Sequence, residues 1–96
     1  MSDLIDYAAI GRFEHTRREL EAAVQARYDT FARAERRIRY ANPQPGGVLI
    51  ATPGLDGAAL RDAVEDALEA HQHMVEAANR YNHAAAALGK PGVRID

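Results

Sequence analysis

The chain has 96 residues, of which 47% are hydrophobic but only 6% aromatic, and its formal net charge is −2 at pH 7. This length suits one domain, and so small a negative charge gives the whole chain no attraction to nucleic acid or to acidic membranes. The absence of cysteine excludes disulfides and thiolate zinc sites. No apolar run reaches the roughly 18–20 residues of a membrane span. The start, Met1-Ser2-Asp3-Leu4, shows no signal-peptide pattern, so we expect a cytoplasmic protein.

The first predicted element is a helix from about residue 3 to residue 41. Asp3 is its expected N-cap, and Asp6 would place a negative charge in the first turn, at the positive end of the helix dipole. No proline interrupts this segment. Its apolar side chains recur at steps of three and four, which predicts a helical seam, and they are Ile10, Phe13, Leu20, Val24, Phe31 and Ile38.

A loop is predicted over residues 42–54. Pro43 disfavours helical angles at Asn42, and Gly46 and Gly47 allow the chain to turn. The loop also contains a short β-favouring run, Val48, Leu49, Ile50 and Ala51. We consider two roles for this run: a plug that folds over an end of the hairpin, or an edge that docks a partner or a second copy.

The second predicted helix runs from about residue 55 to residue 88. Thr52 with Pro53, or alternatively Asp56, provides its start signal, while Gly89 and Pro91 end it. Residues 89–96 form a short tail. The heptad seam of this helix comprises Leu60, Val64, Ala67, His71, Met74, Ala78, Tyr81, Ala85 and Leu88. Beside it runs a column of small residues, Ala63, Ala70, Ala77 and Ala84, which we interpret as pointing outward to a second copy or a partner.

Two helices of similar length joined by a short loop predict an all-α fold, a long antiparallel coiled-coil-like hairpin. Charge favours the same arrangement, because an arginine-rich end of the first helix would lie beside the acidic start of the second. Alanine fills helices well but buries little area. We therefore expect a homodimer or higher homo-oligomer, in which two hairpins complete a four-helix bundle.

The loop length sets an approximate register in which residues at the same height have numbers that add to about 97. This register opposes large side chains on one helix to small ones on the other. It also places Arg17 near Tyr81 and Arg27 near His71, which predicts two polar layers in the core. Polar residues at core positions lower stability but fix register and oligomer number.

Tyr28, Leu68 and Val75 lie just outside the seam and widen it. A stripe this broad is typical of bundle helices that pack on more than one neighbour. Together with Val48, Leu49 and Ile50, these residues form the predicted protein-protein interface.

The sequence contains two other candidate sites. Glu69, His73 and Glu76 have metal-compatible spacing, but they lie on the side opposite the seam and are more simply a solvated face. No phosphate loop or nucleophile motif is present, so we expect no catalytic residues, no metal and no cofactor. A basic cluster, Arg33, Arg36, Arg37 and Arg39, leaves nucleic-acid contact open, although no helix-turn-helix pattern accompanies it.

The sequence thus predicts a non-enzymatic interaction or assembly module that self-associates and has room for a further protein partner. The alternative is a small nucleic-acid-associated regulator that uses the arginine cluster. A third hypothesis, an acidic metal-dependent phosphate enzyme, has the least support. Eleven arginines against one lysine are typical of a high-GC bacterial or phage genome.

Overall fold

A computed structural model describes residues 6–42 and 55–95 of the chain. The described residues form two α-helices, α1 (Tyr7–Ala41) and α2 (Gly57–Ala87), of 35 and 31 residues. They pack against each other as an antiparallel hairpin, which confirms the predicted all-helical hairpin. We call the end near Ala41 and Gly57 the closed end, and the other the open end. The predicted roles of Thr52, Pro53 and the run Val48, Leu49 and Ile50 lie outside the described residues.

Each helix begins at an aspartate cap. The Ala9 amide donates to Asp6 Oδ1 at 2.9 Å, and the Ala59 amide donates to Asp56 Oδ1 at 3.0 Å. Both are N-cap bonds to the third helical residue. The predicted start of the first helix near residue 3 is therefore wrong by about one turn, because Asp6 is the cap and not a residue of the first turn. Asp3 itself lies outside the described residues.

The C-terminal end of α2 is closed by a Schellman motif. Gly89 has a φ of 65°, the left-handed region that suits glycine. The Lys90 amide bonds the Ala85 carbonyl at 2.9 Å, and the Gly89 amide bonds the Ala86 carbonyl at 3.1 Å. These bonds turn the chain back toward α2 instead of continuing the helix.

The tail after Gly89 then packs along α2. Asn82 binds Val93 twice: its Nδ2 donates to the Val93 carbonyl at 2.9 Å, and its Oδ1 accepts from the Val93 amide at 2.7 Å. A Cβ at Gly92 would lie 2.4 Å from Asn82 Oδ1, so any other residue there would force the Asn82 side chain to shift. The tail is consequently fixed beside the helices.

The core between the helices consists of small side chains. On α1 they are Ala9, Thr16, Ala23 and Ala34, and on α2 they are Ala63, Ala67, Ala77, Ala78, Ala84 and Ala85. The buried Thr16 is satisfied within its own helix, because its hydroxyl donates to the Arg12 and Phe13 carbonyls at 2.8 and 3.0 Å. Such residues let two helices approach closely, since a methyl group or hydroxyl takes little space.

This core corrects two predictions. The alanine column on α2 does not point outward, because Ala63, Ala77 and Ala84 are buried within the hairpin. On α1 the buried column is displaced by one residue from the predicted seam, so that Ile10, Val24 and Ile38 are exposed. The physical reason is that α1 presents its own small residues at seven-residue intervals, and small-to-small contact moves the larger side chains to the flank.

Candidate interaction surface

One side of the hairpin carries most of the large apolar residues. Ile10, Val24, Phe31 and Ile38 follow one another along α1 at multiples of seven residues, so they share a side of that helix. A cavity of about 220 Å³ shows which side of α2 lies beside them, because it brings Leu20 and Val24 together with His71, Met74 and Val75. We define the apolar face by eight exposed or half-buried residues: Ile10, Val24, Tyr28, Phe31, Ile38, Val64, Leu68 and Val75.

The predicted interface residues lie on this face where the structure describes them. Tyr28 is 70% exposed and Leu68 is 60% exposed, whereas Val75 is half-buried. Toward the open end the tail residues Val93 and Ile95 cover part of the face. The half nearer the closed end is left open to solvent.

A polar contact crosses the apolar face at the middle of the hairpin. Arg27 Nε donates a hydrogen bond to His71 Nδ1 at 3.0 Å, so the structure brings together the pair that the register placed at one height. The Arg27 guanidinium carbon also lies 4.1 Å from the centre of the Phe31 ring, within the range of a cation–π contact. Phe31 and His71 have ring centroids 6.4 Å apart. These three side chains therefore form one small network.

The other two residues of the predicted polar layers have different contacts. Arg17 binds along its own helix, with Nη2 to Glu14 Oε2 and Nη1 to Glu21 Oε1, both at 2.8 Å. Hydrogen bonding and the charge of Arg17 lower the pKa of Glu14, while Glu14 first and Glu21 second raise the pKa of Arg17. Tyr81 instead packs on Phe13, with ring centroids 5.3 Å apart.

Sequence reasoning missed a second contact of Phe13. Lys90 is far from Phe13 in the sequence, but its ammonium lies 5.2 Å from the centre of the Phe13 ring. This contact depends on the turn at Gly89. In the sequence, the only indication of it is that Lys90 directly follows this glycine. It ties the tail to α1 as well as to α2.

The opposite side of the hairpin is polar and basic at its open-end half. Arg80 Nε pairs with Glu19 Oε1 at 3.6 Å, and Glu19 Oε1 is also 3.7 Å from His15 Nε2. A shallow groove of about 480 Å³ runs between the helices there, lined by Arg12, His15, Thr16, Asn79, Arg80, His83, Ala84 and Ala87. Charged and histidine side chains thus border this side of the hairpin, although most of the exposed lining of the groove itself is apolar.

The arginine cluster lies at the closed end. Arg33, Arg36 and Arg37 border a cavity of about 320 Å³, which is completed by Tyr40, Leu55, Asp56 and Leu60. The fourth member, Arg39, pairs with Glu35 of its own helix at 2.6 Å. The acidic Asp56 thus lies on the rim of the basic cluster.

The three residues with metal-compatible spacing lie on the exposed outer side of α2. Glu69, His73 and Glu76 border a shallow surface hollow there. Within residues 6–42 and 55–95, no group of three histidine, aspartate or glutamate side chains is arranged to hold a metal ion. In the same part of the chain, neither helix carries a stretch long and apolar enough to cross a lipid bilayer.

Comparison with protein-family models, curated proteins and solved structures finds no match to this chain. Among the surfaces of the described residues, the apolar face carries the most exposed large apolar side chains.

Proposed function

We propose that this chain is a non-enzymatic, cytoplasmic assembly module that self-associates through its apolar face, as a homodimer that completes a four-helix bundle. One observation carries the proposal. Among the described residues, every buried apolar side chain is an alanine, and none of the larger apolar side chains is fully buried. One hairpin alone therefore leaves part of the hydrophobic stabilisation of its larger side chains unused.

Magnitudes support this argument. Removing one methylene-sized group from water contributes about 0.8 kcal/mol, whereas full burial of a leucine- or phenylalanine-sized side chain contributes about 1.5–3 kcal/mol. Phe31, Ile38, Val64 and Leu68 remain at least a third exposed in one chain. A partner that covers them supplies several such contributions together, and exposed apolar patches of this kind mark interaction sites.

The test is the mass of the chain in solution, measured by light scattering after size-exclusion chromatography. Leu68→Glu places a charge on the apolar face and is expected to shift the mass toward the 10.5 kDa of one chain, with helix content unchanged by circular dichroism. Gln72→Glu adds the same charge on an exposed part of the same helix and should leave the assembly intact. A wild-type chain that is monodisperse and monomeric would overturn the proposal.

A second candidate function is a small nucleic-acid-associated regulator. It is favoured by the convergence of Arg33, Arg36 and Arg37 with Tyr40 around one cavity, since arginines bind phosphates and tyrosine can stack on a base. Asp56 on the same rim opposes phosphate binding and places this candidate second. A mobility shift with DNA or RNA that weakens with salt, and that is lost when Arg36, Arg37 and Arg39 are replaced by serine, would support it.

A further inference from the structure

We infer that the occupant of the apolar face is a second copy of this chain, packed with both closed ends at the same end of the bundle. This inference rests on the proposed function and adds to it the orientation of the partner. In that orientation α1 of one copy lies beside α2 of its partner. Every neighbouring pair of helices in the bundle is then antiparallel, as it already is within one hairpin.

The size of the apolar face fits a second copy. It extends from Ile10 to Ile38, which is about 42 Å along α1, and two packed helices give it a width of about 20 Å. The product is about 800 Å² for each copy when the exposed tail residues Val93 and Ile95, which cover part of the face toward the open end, are counted as part of the contact surface. This is the amount that a stable protein–protein interface of standard size buries on each partner. A short peptide or a small ligand would cover only part of this surface.

The two edges of the face differ in charge, and this difference selects the orientation. The α1 edge is a column of residues spaced seven apart: Glu14, Glu21, Tyr28 and Glu35. The α2 edge is a column with the same spacing: Arg61, Leu68, Val75 and Asn82. The Arg27–His71 bond sets the register across the hairpin. It places Glu35 at nearly the height of Arg61, and Tyr28 at nearly the height of Leu68.

With both closed ends together, the α1 edge of each copy faces the α2 edge of the other. Glu35 then faces Arg61 of the second copy, and Tyr28 faces the second copy's Leu68, and each contact occurs twice around the twofold axis. Toward the open end the same register sets Glu21 and Glu14, which already bind Arg17, opposite the second copy's Val75 and Asn82. Among the described residues, Arg61 makes no ion pair, and Glu35 pairs through Oε1 with the exposed Arg39 of its own helix at 2.6 Å. The second carboxylate oxygen of Glu35 can therefore accept from the Arg61 guanidinium of a second copy.

The reversed arrangement, with closed ends at opposite ends, makes poorer contacts. A twofold axis across the hairpin brings the α1 edge against itself. That edge column holds only glutamates and a tyrosine, so every register sets carboxylates against carboxylates or against Tyr28. Arg17 already binds Glu14 and Glu21, but Glu35 would face a carboxylate or Tyr28 instead of a cation. The α2 edge would also face itself, and because its column holds no acid, Arg61 would face no carboxylate.

A spin-label distance measurement distinguishes the two orientations. The chain has no cysteine, so Asn42→Cys creates a single labelling site at the closed end. Same-end packing predicts one intermolecular distance below about 30 Å, because the labels are separated by roughly the width of a bundle of four helices. Opposite-end packing predicts about 50 Å, which is the length of α1.

A label at Gln25→Cys, near the middle of α1, serves as the matched control. The Gln25→Cys label of the second copy lies nearby in both orientations, so a short distance at this position reports association alone. A short distance at both positions supports the inference. A short distance at Gln25→Cys with a long one at Asn42→Cys overturns the orientation but leaves the proposed function standing. No intermolecular distance at either position overturns both.

Charge exchange tests the Glu35–Arg61 contact itself. Glu35→Arg and Arg61→Glu should each raise the dissociation constant about tenfold, because each homodimer then holds two like-charge contacts. An equimolar mixture of the two variants should regain wild-type affinity, since its heterodimer pairs unlike charges at both sites, and the double variant should do so alone. Single variants that assemble like the wild type, or a mixture that assembles no better than its components, would overturn the inference.

Discussion

Arg27 and His71 join the two helices at the middle of the hairpin, where Arg27 Nε donates a hydrogen bond to His71 Nδ1 at 3.0 Å. An arginine donates through all its nitrogens, so the bond requires that His71 Nδ1 carries no proton and accepts. Both side chains are half-buried. The bond therefore aligns the helices without leaving a fully buried charge.

We expect His71→Leu to raise the melting temperature. Leucine extends the apolar face, and Arg27 keeps its contact with Phe31 and its access to water, so no buried donor is left without a partner. The gain should be about 1 kcal/mol, the size of one net hydrogen bond exchanged for apolar contact. Thermal denaturation followed by circular dichroism measures it, with the exposed His73→Leu as control. A melting temperature well below that of the wild type would show that Arg27 depends on His71.

Enlarging a core alanine should separate the helices. Ala85 is 0% exposed, so Ala85→Leu has no room for three additional carbons and is expected to destabilise the hairpin by about 1–3 kcal/mol. Its neighbour Ala86 is exposed, and Ala86→Leu should change stability by less than about 0.5 kcal/mol. Urea denaturation of the two variants makes the comparison. Equal stabilities would contradict the alanine-based core.

The tail should detach when its close approach to α2 is blocked. Gly92→Ala places a methyl group on Asn82 Oδ1, so both bonds between Asn82 and Val93 should be lost. Hydrogen exchange at the Val93 amide measures this, and it should speed up to the rate of an unprotected amide. Gly11→Ala is the control: nothing lies within 4 Å of its added Cβ, and it should stabilise α1 by about 1 kcal/mol while leaving Val93 exchange unchanged. An unchanged exchange rate at Val93 in Gly92→Ala would contradict the attachment of the tail by the two Asn82–Val93 hydrogen bonds.

The ion pair of Glu14 with Arg17 predicts a pH dependence. The hydrogen bond from Arg17 lowers the pKa of Glu14 below its ordinary value of 4.5. A carboxyl with a depressed pKa in the folded state contributes stability above its ordinary pKa, and this contribution is lost as the pH falls through the folded-state value. Between neutral pH and about pH 3, the wild type should lose more thermal stability than Glu14→Gln. Equal losses would show that this exposed pair does not stabilise α1.

The helices and their direction could be predicted from the sequence because they depend on local signals. Steps of three and four between apolar residues indicate helices, and the aspartates, glycines and prolines near their ends limit where they begin and stop. The register that placed Arg27 at the height of His71 follows from the loop length. These features need no knowledge of which surfaces meet.

The packing could not be predicted in the same way, because the periodic pattern of large side chains indicates a different seam from the one that the small core residues form. Ala9, Thr16 and Ala23 recur at seven-residue intervals on α1, as Ala63, Ala70, Ala77 and Ala84 do on α2. Two such columns together are a signal for close helix contact, but the prediction rested on the α2 column alone. The Asn82–Val93 clamp depends on the reversal of the chain at Gly89, and no periodic pattern indicates it.

Sedimentation equilibrium of the wild-type chain over a wide concentration range tests the central claim most directly. The exposed apolar face predicts a mass of twice the 10.5 kDa of one chain, with dissociation on dilution and in Leu68→Glu. A mass of one chain at every concentration, with a cooperative and concentration-independent thermal transition, would contradict self-association. The apolar face would then have to serve a different partner.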